Sequence, residues 1–185
     1  MPRQRDYFTS SGNRILRVAQ AIAMRLQHET IDPDHILLAM TRTQNTDAYL
    51  ALHDVDVIES KLSPYLSSKH PAKRKHPLHF QGVEFSDASQ EVFRLSLIDA
   101  TLRGDDYIAS AHLLIGLMRV PSAMMDDILA HFSLERKAVI KATEYYLDHS
   151  IEDAKVRIPI TASDDDALGC WNALREALYE LTRRR

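Results

Sequence analysis

Phe8 to Arg42, FTSSGNRILRVAQAIAMRLQHETIDPDHILLAMTR, decides the fold because it recurs. Offset by 77 positions and without a gap, Phe85 to Arg119 reads FSDASQEVFRLSLIDATLRGDDYIASAHLLIGLMR. Phe8/Phe85, Arg17/Arg94, Ala23/Ala100, Ile31/Ile108, His35/His112, Leu37/Leu114, Arg42/Arg119 and, further on, Leu52/Leu129 are identical pairs. Thr9/Ser86, Ile15/Val92, Leu38/Ile115 and Val57/Leu134 are near ones. A gapless repeat of this length implies a duplicated helical unit whose two copies share a buried face that neither hides alone.

Within the first copy, Thr9 or Ser10 is placed to cap a helix ending near Gln27, with Ile15, Leu16, Ala19, Ile22, Ala23 and Leu26 at the spacing of an amphipathic face. Asp32-Pro33 starts a second helix: an acid at the cap, then a proline where its missing amide costs nothing. The apolar run behind it predicts near-complete burial. Ala48 to Leu52 reads as a short third helix. Asp56 is placed to cap a fourth through Val57, Ile58, Leu62 and Leu66. The second copy repeats the plan. Ser86 or Asp87 opens a helix through Val92, Phe93, Leu95, Leu97 and Leu102, Ser110 to Met118 is its buried helix, and Pro121-Ser122 and Ser133 start the last two. The fold class expected is all-α: two tandem four-helix repeats, about 8–66 and 85–147, in a pseudo-twofold domain over 1–149.

Between the copies, 67–84 reads as a basic linker. Lys69, Lys73, Arg74 and Lys75 precede its single acid, Glu84, and Pro71, Pro77 and Gly82 oppose regular structure. The run is a solvated connector, a phosphate contact or a nuclear-import-like patch. Residues 150–185 have no counterpart in the repeat. After an extended-looking Lys155–Ile160, the acids Asp164 to Asp166 mark the start of an amphipathic helix over about 164–183. Its face carries Leu168, Trp171, Leu174, Leu178 and Leu181, each worth about 1.5 to 3 kcal/mol when buried. That face either folds back onto the repeat or docks on a partner or a second copy, so a homodimer through this helix is one alternative.

Composition narrows the function. A formal net charge of −3 over 185 residues argues against a protein built mainly to coat nucleic acid, which advertises a strongly basic face. The single cysteine, Cys170, excludes an intrachain disulfide, Met1 to Asp6 lacks the apolar core of a signal peptide, and no run approaches the length of a membrane span. A cytoplasmic protein is expected.

Catalytic motifs are scarce, and no catalytic residue, metal or cofactor is assigned. None of the five glycines sits in a phosphate-binding loop of the G-x-x-x-x-G-K-[ST] kind. His28-Glu29 begins like a zinc-protease helix, but Asp32 stands where the second histidine belongs. His70, His76 and His79 lack acid or cysteine partners at a set spacing, and His35 and His112, at the starts of the buried helices, read as structural hydrogen-bonders.

Phe8-Thr9, the helix with Leu16, Ala19 and Ala23, then His28, then Ile31-x-Pro33-Asp34-His35-Ile36-Leu37-Leu38-Ala39-Met40, all duplicated, resembles the amino-terminal domain of the Clp (Hsp100) AAA+ unfoldases, over roughly Tyr7 to Leu147. The chain departs from the pattern at Gly12 and Ser89, where alanine is usual, and at Asp34 and Ala111, where glutamate usually precedes the paired histidine. The resemblance implies a non-catalytic protein-binding module, without ATPase modules, that recognises clients or adaptors for a Clp chaperone-protease or serves it as an accessory subunit. A groove between the copies would hold the bound segment. It also implies two related pockets for phosphorylated arginine, in which a hydroxyl at a helix start suits the phosphate and a carboxylate grips the guanidinium. Thr9 and Asp34 are the first pair; Ser86 and Ala111, which has lost its acid, are the second. Helix capping alone is the competing reading of Thr9, Ser86 and Asp34. The partners expected are a Clp ATPase or protease core and adaptor or client proteins, with no membrane. Regulation through nucleic acid at the basic linker, or structural dimerisation, are the alternatives.

Overall fold

Helix starts and stops repeat between the copies. The computed structural model describes residues 7–69 and 83–151. Helix α1 (Ser10–Leu26) is capped by Thr9, whose hydroxyl accepts from the Gly12 N–H at 3.2 Å, and ends at Gln27 in the left-handed region. Strand β1 (Thr30–Ile31), α2 (Pro33–Arg42), α3 (Asp47–Asp54) and α4 (Glu59–Lys69) complete the first copy. Strand β2 (Glu84–Phe85) leads into α5 (Asp87–Arg103), capped by the Ser86 hydroxyl on the Ser89 N–H at 3.3 Å. Its end, Gly104 at φ 83°, is equivalent to Gln27, and here the turn has glycine, which enters that region without a Cβ penalty. Helices α6 (Ser110–Arg119), α7 (Ala123–His131) and α8 (Arg136–Asp148) follow, making eight helices among the described residues.

The two tandem copies are interwoven. Thr30–Ile31 pairs in parallel with Glu84–Phe85, and Phe8 bridges in parallel to Ile108. The repeat offset turns one pairing into the other. Likewise Ser86 donates its N–H to the Ile31 carbonyl at 3.1 Å, and Thr9 donates its own to the Ile108 carbonyl at 3.1 Å. Each copy thus begins on the segment that precedes the other's buried helix.

Helices α2 and α6 are that shared face: Pro33 to Thr41 and Ser110 to Met118 are buried without a break. Phe93 beside them meets Phe8 and Phe85 edge-on, at centroid distances of 5.8 and 4.9 Å, the geometry aromatic rings prefer. Small residues let the helices close. A Cβ on Gly116 would lie 2.6 Å from the Val92 carbonyl of α5. The two departures from the family's alanine have the same setting: a Cβ on Gly12 would lie 3.1 Å from the Ile108 oxygen, while the Ser89 hydroxyl donates to the Ile31 oxygen at 2.6 Å. Helix α8 returns to the first copy, where Tyr146 donates to Asp54 at 2.7 Å and buried Asp47 accepts from the Ser150 hydroxyl and, at 3.0 Å, from the Ile151 N–H.

Three expectations are corrected. Asp56 does not cap α4; at φ 62° it forms a left-handed turn and pairs with Lys61 from outside the helix. Ser133, its equivalent, makes the same turn at φ 55°, so α8 starts three residues later. Helix α4 runs to Lys69 and Glu84 is in β2, so both ends of the expected linker belong to regular elements. Helix α5 runs through Leu102 as expected, with Leu102 77% exposed and Ser89, Ser96 and Asp99 among its buried residues. The basic run, His70, His76 and His79, Cys170, and the helix of Leu168, Trp171, Leu174, Leu178 and Leu181 lie outside the described residues. Among the described residues no helix is long and apolar enough to cross a membrane.

Candidate functional site

Pro33 and the Asp32 cap force α2 to begin abruptly, which sets Asp34 in its first turn beside the carboxy-terminal end of α1. There a cleft of about 100 Å³ opens between α1, α2 and α4. Ile22, Leu26, Leu38 and Leu66 supply apolar walls, Ser63 and Ser67 the rim, Arg25 and Arg42 flanking charge, and Asp34 and His35 the polar floor. The first copy alone forms it, so the described cleft is not a groove between copies.

Asp34 is 6% exposed, and its carboxylate lies 3.7 Å from His35 Nδ1. That nitrogen is already engaged, accepting from the Asp32 N–H at 2.8 Å. The proton of a neutral His35 therefore sits on Nε2, which lies 2.8 Å from His28 Nδ1, so His28 is the acceptor. Hydrogen bonding thus fixes the ring behind Asp34 but leaves the carboxylate facing the cleft. Solvent reaches the carboxylate through the cleft, and a cationic side chain entering there pairs with it in place of water. Asp32, Asp34 and His35 also place one ligand atom each within 4.8 Å of one another. They make a poor metal site, since the Nδ1 lone pair is spent on the Asp32 amide.

The strand exchange redistributes the hydroxyls. Thr9, at the far end of α1 about 25 Å of helix away, is tied to Ile108 of the second copy. Ser86 donates to the Ile31 carbonyl at 3.3 Å, on the segment leading into Asp34. Both hydroxyls also cap their helices.

In the second copy, His112 Nδ1 accepts from the Ala109 N–H at 3.0 Å, as His35 does from Asp32. Asp105 replaces His28, its carboxylate 3.2 Å from His112 Nε2 in an electrostatic contact off the line of a hydrogen bond. Burial pushes the His112 pKa down, against the pull of Asp105 and Asp99. Sequence reasoning missed Asp99, 3% exposed and paired with two arginines. The signal was an acid at the place of Ile22 in the apolar stripe.

The family model for the Clp repeat (R) N-terminal domain matches residues 7–132. The chaperone protein ClpB of Oceanobacillus iheyensis is 30% identical over 138 residues, and the negative regulator of genetic competence ClpC/MecB of Bacillus subtilis 29% identical over 138; each comparison covers 72% of this chain and 17% of the relative. The chain thus spans about a sixth of the length of these relatives. In fold it is similar to the N-terminal domain of ClpD from Arabidopsis thaliana, with a TM-score of 0.63 at 18% identity, covering 77% of this chain and 95% of that one. It is likewise similar to a ClpV N-domain in complex with a VipB peptide, with a TM-score of 0.61 at 14% identity, covering 80% and 91%. The duplicated helices, the paired histidines and these matches together establish that the chain belongs to the Clp repeat N-terminal domain family.

Proposed function

We propose that this protein is a non-catalytic recognition module, one that binds client or adaptor segments on behalf of a Clp chaperone-protease, or joins it as an accessory subunit, through the Asp34 cleft. The double repeat over 1–149 serves as the binding domain, and 150–185 as an extension. The observation that carries this reading is the Asp34 carboxylate, almost wholly buried, without a hydrogen-bond donor among the described residues, and facing a cleft with apolar walls. Such a floor selects a side chain with a long apolar stem and a cationic head, an arginine or a lysine in an extended segment. A phosphoryl group on that arginine would meet Ser86 only if the Ser86 hydroxyl gave up its bond to the Ile31 carbonyl.

Capture by the immobilised full chain tests the reading. Clp subunits or clients retained by the wild type are expected to be lost with Asp34→Asn, which removes the charge and keeps the shape. Equal recovery by both would refute it.

A further inference from the structure

The offset of 77 carries each wall of the first copy's cleft onto a residue of the second. Ile22, Leu26 and Ser67 become Asp99, Arg103 and Glu144, and these three are joined. Arg103 Nε donates to Asp99 at 2.8 Å while its Nη2 reaches Glu144 at 3.0 Å, so one guanidinium spans α5 and α8 where the first copy is open. Asp34 becomes Ala111. The acid lost from α6 has thus reappeared on the facing helix as Asp99, with a cation already against it.

A second change completes the closure. In the first copy Arg42 donates to Glu59 at 2.8 Å. The equivalent of Glu59 is Arg136, a like charge, held by Asp126 and by the Met118 and Val120 carbonyls. Arg119, the equivalent of Arg42, pairs instead with Asp99 at 2.9 Å.

We propose that the second copy's cleft is occupied by the chain's own Arg103 guanidinium, an internal ligand, so that the protein offers one cation-accepting cleft, in the first copy, instead of two. The single-cleft count rests on the Asp34 reading above; the self-occupied cleft does not. Removing Arg103 leaves Asp99, with a side chain 4% exposed, short of one of its two cations, and a buried carboxylate so exposed to loss draws a replacement.

Backbone-amide NMR of the full chain, titrated with methylguanidinium well below denaturing concentrations, tests this. In the wild type, amides near Asp34 are expected to shift and those near Asp99 to stay still. In Arg103→Ala, amides near Asp99 are expected to respond as well, and the melting temperature to rise with methylguanidinium more than the wild type's does. Should that variant fail to fold, Arg103→Gln keeps the stem and one donor for the same measurement. A wild-type response near Asp99 matching that near Asp34, or no gain near Asp99 in either variant, would overturn the proposal. A gain near Asp99 in the variants with a silent Asp34 in the wild type would support the self-occupied cleft and remove the Asp34 reading.

Discussion

Gly116→Ala tests how closely the second copy's helices are packed. The new methyl would meet Ser96 Oγ at 2.2 Å, the Val92 carbonyl at 2.6 Å and the Ser96 amide nitrogen at 3.0 Å. The hydroxyl can rotate away, forfeiting its 2.7 Å bond to the Val92 carbonyl. The carbonyl belongs to the backbone of α5 and cannot. It lies about 0.8 Å short of ordinary contact, so the helix must shift as a unit within a close-packed interior. Overpacking of this kind costs about 1 to 3 kcal/mol, and the better helix propensity of alanine returns about 1 kcal/mol. A backbone contact places the cost at the upper end, leaving a net loss of about 1 to 2 kcal/mol. For a chain of this size that lowers the melting temperature by about 2 to 4 °C per kcal/mol. Urea unfolding followed by circular dichroism reads the loss, which Ser96→Ala in the same chain should partly recover by removing the nearest atom. A Gly116→Ala protein as stable as the wild type would refute the packing argument.

Other contacts give further tests. His28→Ala leaves the buried Nε2 proton of His35 without its acceptor and should cost about 1 to 3 kcal/mol, whereas His28→Asp, the second copy's arrangement, should cost less; equal losses would contradict the assigned proton position. The Asp54 carboxylate that accepts the Tyr146 hydroxyl raises that phenol from the usual 10 to about 12. The bond's contribution to stability is thus present below pH 10 and lost as pH rises through about 12, and ultraviolet titration should show one late tyrosine, restored to ordinary behaviour by Asp54→Asn. For His112, held neutral by burial, the unfolded chain takes up a proton first as pH falls below 6.5, so stability is whole above that value and declines below it. His112→Gln should flatten that acid limb in pH-dependent unfolding, and an unchanged limb would argue that His112 titrates normally. Asp47→Ala removes the carboxylate that accepts from the Ser150 hydroxyl and the Ile151 N–H, and should speed hydrogen exchange at the end of α8 before it does so elsewhere.

The repeat and the helix starts were legible because they depend on residue chemistry in short windows: hydroxyls at Thr9 and Ser86, an acid and a proline at Asp32-Pro33, and apolar runs long enough to be helical. Asp56 and Ser133 misled because their usual role at a cap is also compatible with a left-handed turn, and the choice is made by the tertiary path into α4 and α8. The crossing strands are two residues each, too short to carry periodicity, so the link of Thr9 to Ile108 and of Ser86 to Ile31 could not be read from spacing. Asp34 was found through resemblance, but its isolation depends on where His35 directs its nitrogens. The ion pairs around Asp99 needed three elements in place before an acid in an apolar stripe made sense.

Selection of a random peptide library on the immobilised full chain, in parallel with Asp34→Asn, tests the proposal that the first copy recognises cationic side chains through Asp34. Enrichment of arginine- or lysine-containing peptides by the wild type, lost in the variant, is the predicted result; the same peptides enriched by both proteins would contradict it.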